Sequence, residues 1–108
     1  MVKAFQAGLA ASLYFLAIAP GAAEMTPDAE RGRVLVETHC AECHAIDRAG
    51  PSPLAIAPPF RDLHTRYPVE SLEEAFAEGI STGHADMPEF RFEPDQINDL
   101  IAYLKSLE

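Results

Sequence analysis

Cys40-Ala41-Glu42-Cys43-His44 holds both cysteines of the chain, and its reading decides the fold. Two thiols three positions apart with an imidazole directly after the second form the attachment signature of a c-type haem. The spacing has a mechanical reason. On one turn leaving a helix, both sulfurs reach the two vinyl-bearing edges of one porphyrin. The next residue then carries a ring nitrogen over the porphyrin plane, where it can bind iron. Three other readings stay open on the residues alone. A thioredoxin-like redox pair shares the cysteine spacing but needs a βαβ setting, which the chain does not offer. A structural zinc site would have to recruit His39, His64 or His84 as further ligands. A plain disulfide would suit an oxidising compartment.

Working outward towards the N-terminus, Thr26-Pro27-Asp28 reads as a helix start, with a hydroxyl N-cap, a proline in the first turn and an acid near the positive end. Ala29, Gly32, Leu35 and Val36 give that helix an apolar side, and it runs into Cys40. Further upstream, Lys3 precedes a mostly apolar stretch from Ala4 to Ala19, and Gly21-Ala22-Ala23 offers small residues before Glu24. Residues 1–23 are therefore expected to be a secretory signal peptide and residues 24–108 one small domain. The apolar stretch falls short of the roughly 20 residues that span a bilayer. No stable membrane insertion is expected after cleavage; retention as an uncleaved anchor is the alternative.

Towards the C-terminus, Pro51, Pro53, Pro58 and Pro59 mark an extended loop from Ala49 to Pro59. Ser71 and Glu74 read as a capping box on a helix through about Glu78, with Leu72, Ala75, Phe76 and Ile80 on one side and Gly79 near the stop. Ser81 to Glu93, containing Gly83 and Pro88, lacks helical period and reads as a loop. Pro94 and Asp95 open a last helix whose Ile97, Leu100, Ile101 and Leu104 recur at i, i+3, i+4 and i+7, with Tyr103 beside them. No alternating strand pattern competes. The expectation is an all-α domain of three or four short helices, too small for a robust side-chain core unless a large apolar body sits at its centre.

Seventeen acidic side chains face eight basic ones, for a formal charge of −9. Loss of Lys3 with the leader makes the charge one unit more negative. Such a surface argues against nucleic-acid binding and against adhesion to anionic lipid, and favours a partner with a basic docking patch. No nucleophile–base pair or carboxylate dyad stands out, so no enzyme activity is expected.

With motif and helix order in place, residues 24–108 resemble a small monohaem class I cytochrome c of the proteobacterial type. Three landmarks beyond the haem motif carry the likeness. Gly32 would let the first helix approach the last near Leu100 and Tyr103. Ala57-Pro58-Pro59-Phe60-Arg61-Asp62-Leu63 is similar to the family's Gly-Pro-x-Leu-x-x-Leu loop. Met87-Pro88-Glu89-Phe90 lies where the family places its methionine ligand. Ala57 in place of glycine and Val36 in place of a common aromatic are departures that remove no ligand.

The resemblance implies the class I cytochrome c fold, three to four short helices wrapped around one covalently attached haem c and its iron. Cys40 and Cys43 would form the thioethers and His44 the proximal ligand through Nε2. The other nitrogen of His44 would donate to a carbonyl, that of Pro58 ahead of Pro53. Met87 would be the sixth ligand, with His84 its rival. Arg61, Arg66 and Arg91 are candidate propionate partners, and His39 and His64 are read as surface or propionate-contacting residues. Phe60, Phe76, Phe90 and Tyr103 would pack on the macrocycle or its neighbours. The implied function is a periplasmic one-electron carrier in a respiratory or dehydrogenase chain, either a free monomer or a subunit of a dehydrogenase or oxidase. A haem-based sensor or peroxidase-like protein with a labile sixth ligand is the alternative, and a haem-free thiol or zinc protein a third.

Overall fold

The structure, a computed structural model, describes residues 3–5, 7–16, 24–81 and 84–108. Helix α1 spans Pro27–His39 and starts as its residues dictate: Thr26 is extended at the N-cap, and its hydroxyl accepts from the Ala29 N–H. Helix α3 spans Pro94–Ser106, and there the Gln96 side chain reaches back to accept from the Glu93 N–H at 3.0 Å. Short helix α2, Leu72–Glu78, lies between them and ends at Gly79, whose φ of 106° suits a residue without a Cβ.

α1 and α3 share the largest helix–helix interface, and Gly32 is where they come closest. A Cβ at Gly32 would lie 1.9 Å from the Asp99 carbonyl oxygen and 2.8 Å from the Tyr103 Cβ, so only glycine fits. The close approach lies one residue before Leu100, at the backbone of Asp99. Around it Val36, Leu100, Tyr103 and Leu104 are fully buried. Each such side chain contributes about 1.5–3 kcal/mol through the area it removes from water. At the edge of the same seam, Arg31 donates both Nε and Nη2 to the nearly buried Asp99 carboxylate, at 3.0 and 3.1 Å. That two-point pairing offsets the cost of burying the charge.

One local expectation needs correction. Ser71 forms no capping box: its ψ of −16° is already helical and its hydroxyl makes no cap hydrogen bond. Ser71 does hold the N-cap position of α2, but the chain reaches it through a 3₁₀ turn at Val69–Ser71 that begins after Pro68, which leaves the serine already helical. A second 3₁₀ helix, Phe60–Thr65, follows directly on the proline-rich loop. Its buried Leu63 anchors it to the core.

The described residues of the N-terminal apolar stretch do not join this core: Phe5, Leu9, Leu13 and Phe15 are exposed. The expected cleavage site at Gly21-Ala22-Ala23 lies outside the described residues. Among the described residues, no helix is long and apolar enough to cross a membrane.

Candidate functional site

The attachment motif occupies the turn that terminates α1. The N–H groups of Cys40 and Ala41 both bond back to the Val36 carbonyl, and those of Cys43 and His44 both bond to the Cys40 carbonyl. The result is a tight double turn that fixes the two sulfurs and the imidazole on one short arc. Cys40 and Cys43 are free, half-buried thiols. Burial pushes the Cys40 thiol up to about 11. A redox-active pair of the thioredoxin kind needs the opposite, a thiol of lowered pKa. Among the described residues no group of three or more His, Cys, Asp or Glu is placed to hold a metal ion, so the zinc reading lacks a donor set there.

The segment after the motif is tied to it rung by rung. The Leu54 N–H donates to the Cys43 carbonyl, the Ala45 N–H to Ser52 Oγ, and the Phe60 N–H to the Ala45 carbonyl. These bonds bring the proline loop back across His44. There Nδ1 of His44 lies 2.8 Å from the Pro58 carbonyl oxygen, and the Phe60 ring packs at a tilt with its centroid 4.8 Å from that of the imidazole. A carbonyl can only accept, so Nδ1 carries a proton, and in the neutral imidazole Nε2 is the nitrogen left with a lone pair. The departure at Ala57 does not disturb this geometry: no described residue other than glycine has a positive φ, and Ala57 is simply buried. On the exit side, the Tyr103 hydroxyl donates to the Ile46 carbonyl at 2.5 Å, which fixes the motif to α3.

Met87 is half-buried, and its N–H donates to the His84 carbonyl at 3.1 Å. The segment that carries it is closed at its neck. Ile80 and Phe90 form an isolated antiparallel bridge, Arg91 Nη2 donates to the Glu78 carbonyl, and the Phe92 N–H donates to the Phe76 carbonyl. Gly83, expected within this loop, lies outside the described residues. Arg91 and Arg61 are thus engaged with backbone, Arg61 with the Gly50 carbonyl at 2.7 Å. His64 is exposed at the end of the Phe60–Thr65 turn.

Sequence reasoning missed one residue of this neighbourhood and the contacts of another. Phe92 is buried and packs edge-on against Phe76, with centroids 5.5 Å apart. The signal was present in Phe90-Arg91-Phe92, since residues two apart on extended backbone share a face. His39 is not a bare surface histidine: its ring meets Phe90 and Phe92.

These residues fit a covalently held porphyrin. They supply two unpaired thiols at the attachment spacing, an imidazole whose tautomer leaves Nε2 for a metal, and aromatic cover on that imidazole.

Comparison with known proteins agrees. The sequence model of a family described as cytochrome c matches residues 29–108. A curated relative from a Synechocystis species, named cytochrome c-553-like, is 32% identical over 80 residues, which cover 74% of this chain and 70% of the relative. No solved structure matches.

Proposed function

The chain belongs to the cytochrome c family, and we propose that it is an exported one-electron carrier whose haem iron is held by His44 and Met87. Membership makes it a small, single-haem, all-α electron carrier with covalently bound haem c. When bound, haem c supplies a reversible one-electron iron couple. The protein's own residues do the rest. Cys40 and Cys43 hold the group by thioethers, so that it need not be retained by affinity. His44 ligates through Nε2 while the Pro58 carbonyl fixes its ring angle and strengthens it as a donor. Phe60 shields the imidazole from water. Met87 supplies a soft thioether, which favours ferrous iron and raises the potential relative to a second histidine.

The observation that carries this reading is the His44–Pro58 hydrogen bond beside two unpaired thiols. Export is supported by the apolar N-terminal stretch, whose Leu9, Leu13 and Phe15 stay off the core as expected of a segment removed on export. We place the mature protein, residues 24–108, in a bacterial periplasm. There it passes electrons between redox proteins of a respiratory or dehydrogenase chain, alone or as a subunit. The charge of −9 suits a partner with a basic patch.

The test is the absorption spectrum and potentiometric titration of the exported product. A colour that survives denaturation, a ferric thioether–iron charge-transfer band and little uptake of cyanide at neutral pH are expected. An iron that binds cyanide or carbon monoxide readily in the native protein would favour a sensor or peroxidase-like role instead.

A further inference from the structure

His39 is the last residue of α1, immediately before Cys40, and its backbone is held by a helix that Gly32 seats against α3. Its imidazole lies across two rings that belong to the far side of the site. The centroid of Phe90 is 5.8 Å away at an interplanar angle of 64°, and that of Phe92 is 5.5 Å away at 70°. Both contacts are edge-to-face, an arrangement the ring quadrupoles favour. Phe90 and Phe92 themselves stack at 6.1 Å and 13°, and Phe92 also meets Phe76 of α2.

A run of four rings therefore joins α2, the last residue of α1 and the segment that follows Met87. Phe90 is three residues from Met87, so fixing its ring confines Met87 to within about 11 Å along the chain. The neck bonds at Ile80–Phe90 and Phe92–Phe76 close that segment on itself but do not connect it to the attachment turn. His39 adds a direct ring contact between them, beside the shared core on which Cys40, Ala41, Ile80 and Phe90 also pack.

We infer that His39 is a positioning residue: its ring holds the Met87 segment in register with the Cys40–His44 turn, and so sets how firmly the sixth ligand is kept on iron. The inference rests on Met87 being that ligand. Histidine suits the place because the side chain is exposed, with one apolar ring face for Phe90 and Phe92 and polar nitrogens for water.

The experiment compares the haem-loaded wild type with His39→Ala, His39→Phe and Met87→Ala. The measurements are the ferric thioether–iron band, the reduction potential, the rate of cyanide binding and amide exchange at Ile80 and Met87. In His39→Ala, cyanide binding should quicken about tenfold, as expected if the lost ring contacts no longer oppose opening of the segment. The band should weaken, the potential should fall and both amides should exchange faster. His39→Phe should restore all four, which a general loss of stability would not do. Wild-type cyanide kinetics and potential in His39→Ala, with both changed in Met87→Ala, would overturn the inference. A Met87→Ala protein that keeps the band and slow cyanide uptake would instead overturn the ligation reading and take this inference with it. The two failures differ in which variant is silent.

Discussion

His44 Nδ1 and the Pro58 carbonyl oxygen are 2.8 Å apart, and the peptide that carries that oxygen is held between two prolines. Pro58 fixes one dihedral through its ring, and Pro59 keeps residue 58 extended. The acceptor is thus set by local chain stiffness before any cofactor is present. Replacing both prolines by glycine should free the carbonyl and weaken the bond. The imidazole then becomes a poorer donor to iron, ferric iron loses stabilisation, and the reduction potential should rise. Potentiometric titration checks it; a potential equal to wild type would mean that the carbonyl is held by other contacts.

Gly32→Ala should be among the most destabilising single changes in the domain. Its Cβ would collide with the Asp99 carbonyl, which is backbone and cannot rotate away. α1 and α3 must then separate along their main interface, at a cost of about 3 kcal/mol or more in overpacking and lost burial. Denaturant unfolding would show a lower midpoint with a similar slope. A change under about 0.5 kcal/mol, the range of ordinary surface substitutions, would mean that the helices do not meet as described.

Acid should weaken the fold through identifiable carboxyls. A hydrogen bond from Thr26, aided by the Ala29 N–H, holds Asp28 below its ordinary value of 3.8. The Lys105 ammonium, bonded to Glu70, holds that carboxyl below its ordinary 4.5. Both folded values lie under the unfolded ones. Their contribution is therefore complete at pH well above 4.5 and is lost as pH falls through the depressed folded values. Asp28→Asn with Glu70→Gln should flatten the stability profile between about pH 5 and pH 3, lying slightly below wild type at neutrality and converging on it in acid; the difference is small, since both groups are exposed. Unfolding midpoints measured across that range would decide it.

Salt should slow docking. The full chain carries a formal charge of −9, and the domain without Lys3 is one unit more negative, before any propionate is counted, so association with a basic redox partner gains from long-range attraction. That attraction shrinks as the Debye length falls from about 10 Å at 0.1 M to about 3 Å at 1 M. Stopped-flow electron transfer should give a rate constant that drops steadily with ionic strength. A flat profile would mean that apolar contacts, rather than charge, govern docking.

The parts of the fold legible in the sequence are those with a local or periodic cause. Pro27 and Pro94 start helices, Ile97 to Leu104 repeat at helical spacing, and Cys40 to His44 have one narrow chemical meaning. Gly32 was readable only because the family resemblance gave it a partner helix. The Ser71–Glu74 box misled because its pattern is necessary but not sufficient: Pro68 had already turned the chain into a 3₁₀ entry. His39 was illegible for another reason. Its neighbours Phe90 and Phe92 lie some fifty residues away, and no local pattern in one chain encodes a contact between distant segments.

The sixth ligand separates an electron carrier from a haem protein that binds small molecules. Met87 is half-buried, its N–H is bonded to the His84 carbonyl, and its segment is closed by the Ile80–Phe90 bridge. That arrangement places two candidate donors three residues apart in one loop. If Met87 ligates, Met87→Ala should abolish the thioether–iron band, lower the potential and admit cyanide or carbon monoxide readily. Met87→His should keep six ligands yet also lower the potential, because imidazole stabilises ferric iron relative to a thioether. His84→Ala should leave band and potential in place. The reverse pattern, with His84→Ala opening the iron and Met87→Ala silent, would make this a bis-histidine protein. If neither substitution altered the spectrum, the native iron would have five ligands, and the carrier reading would give way to a ligand-binding one.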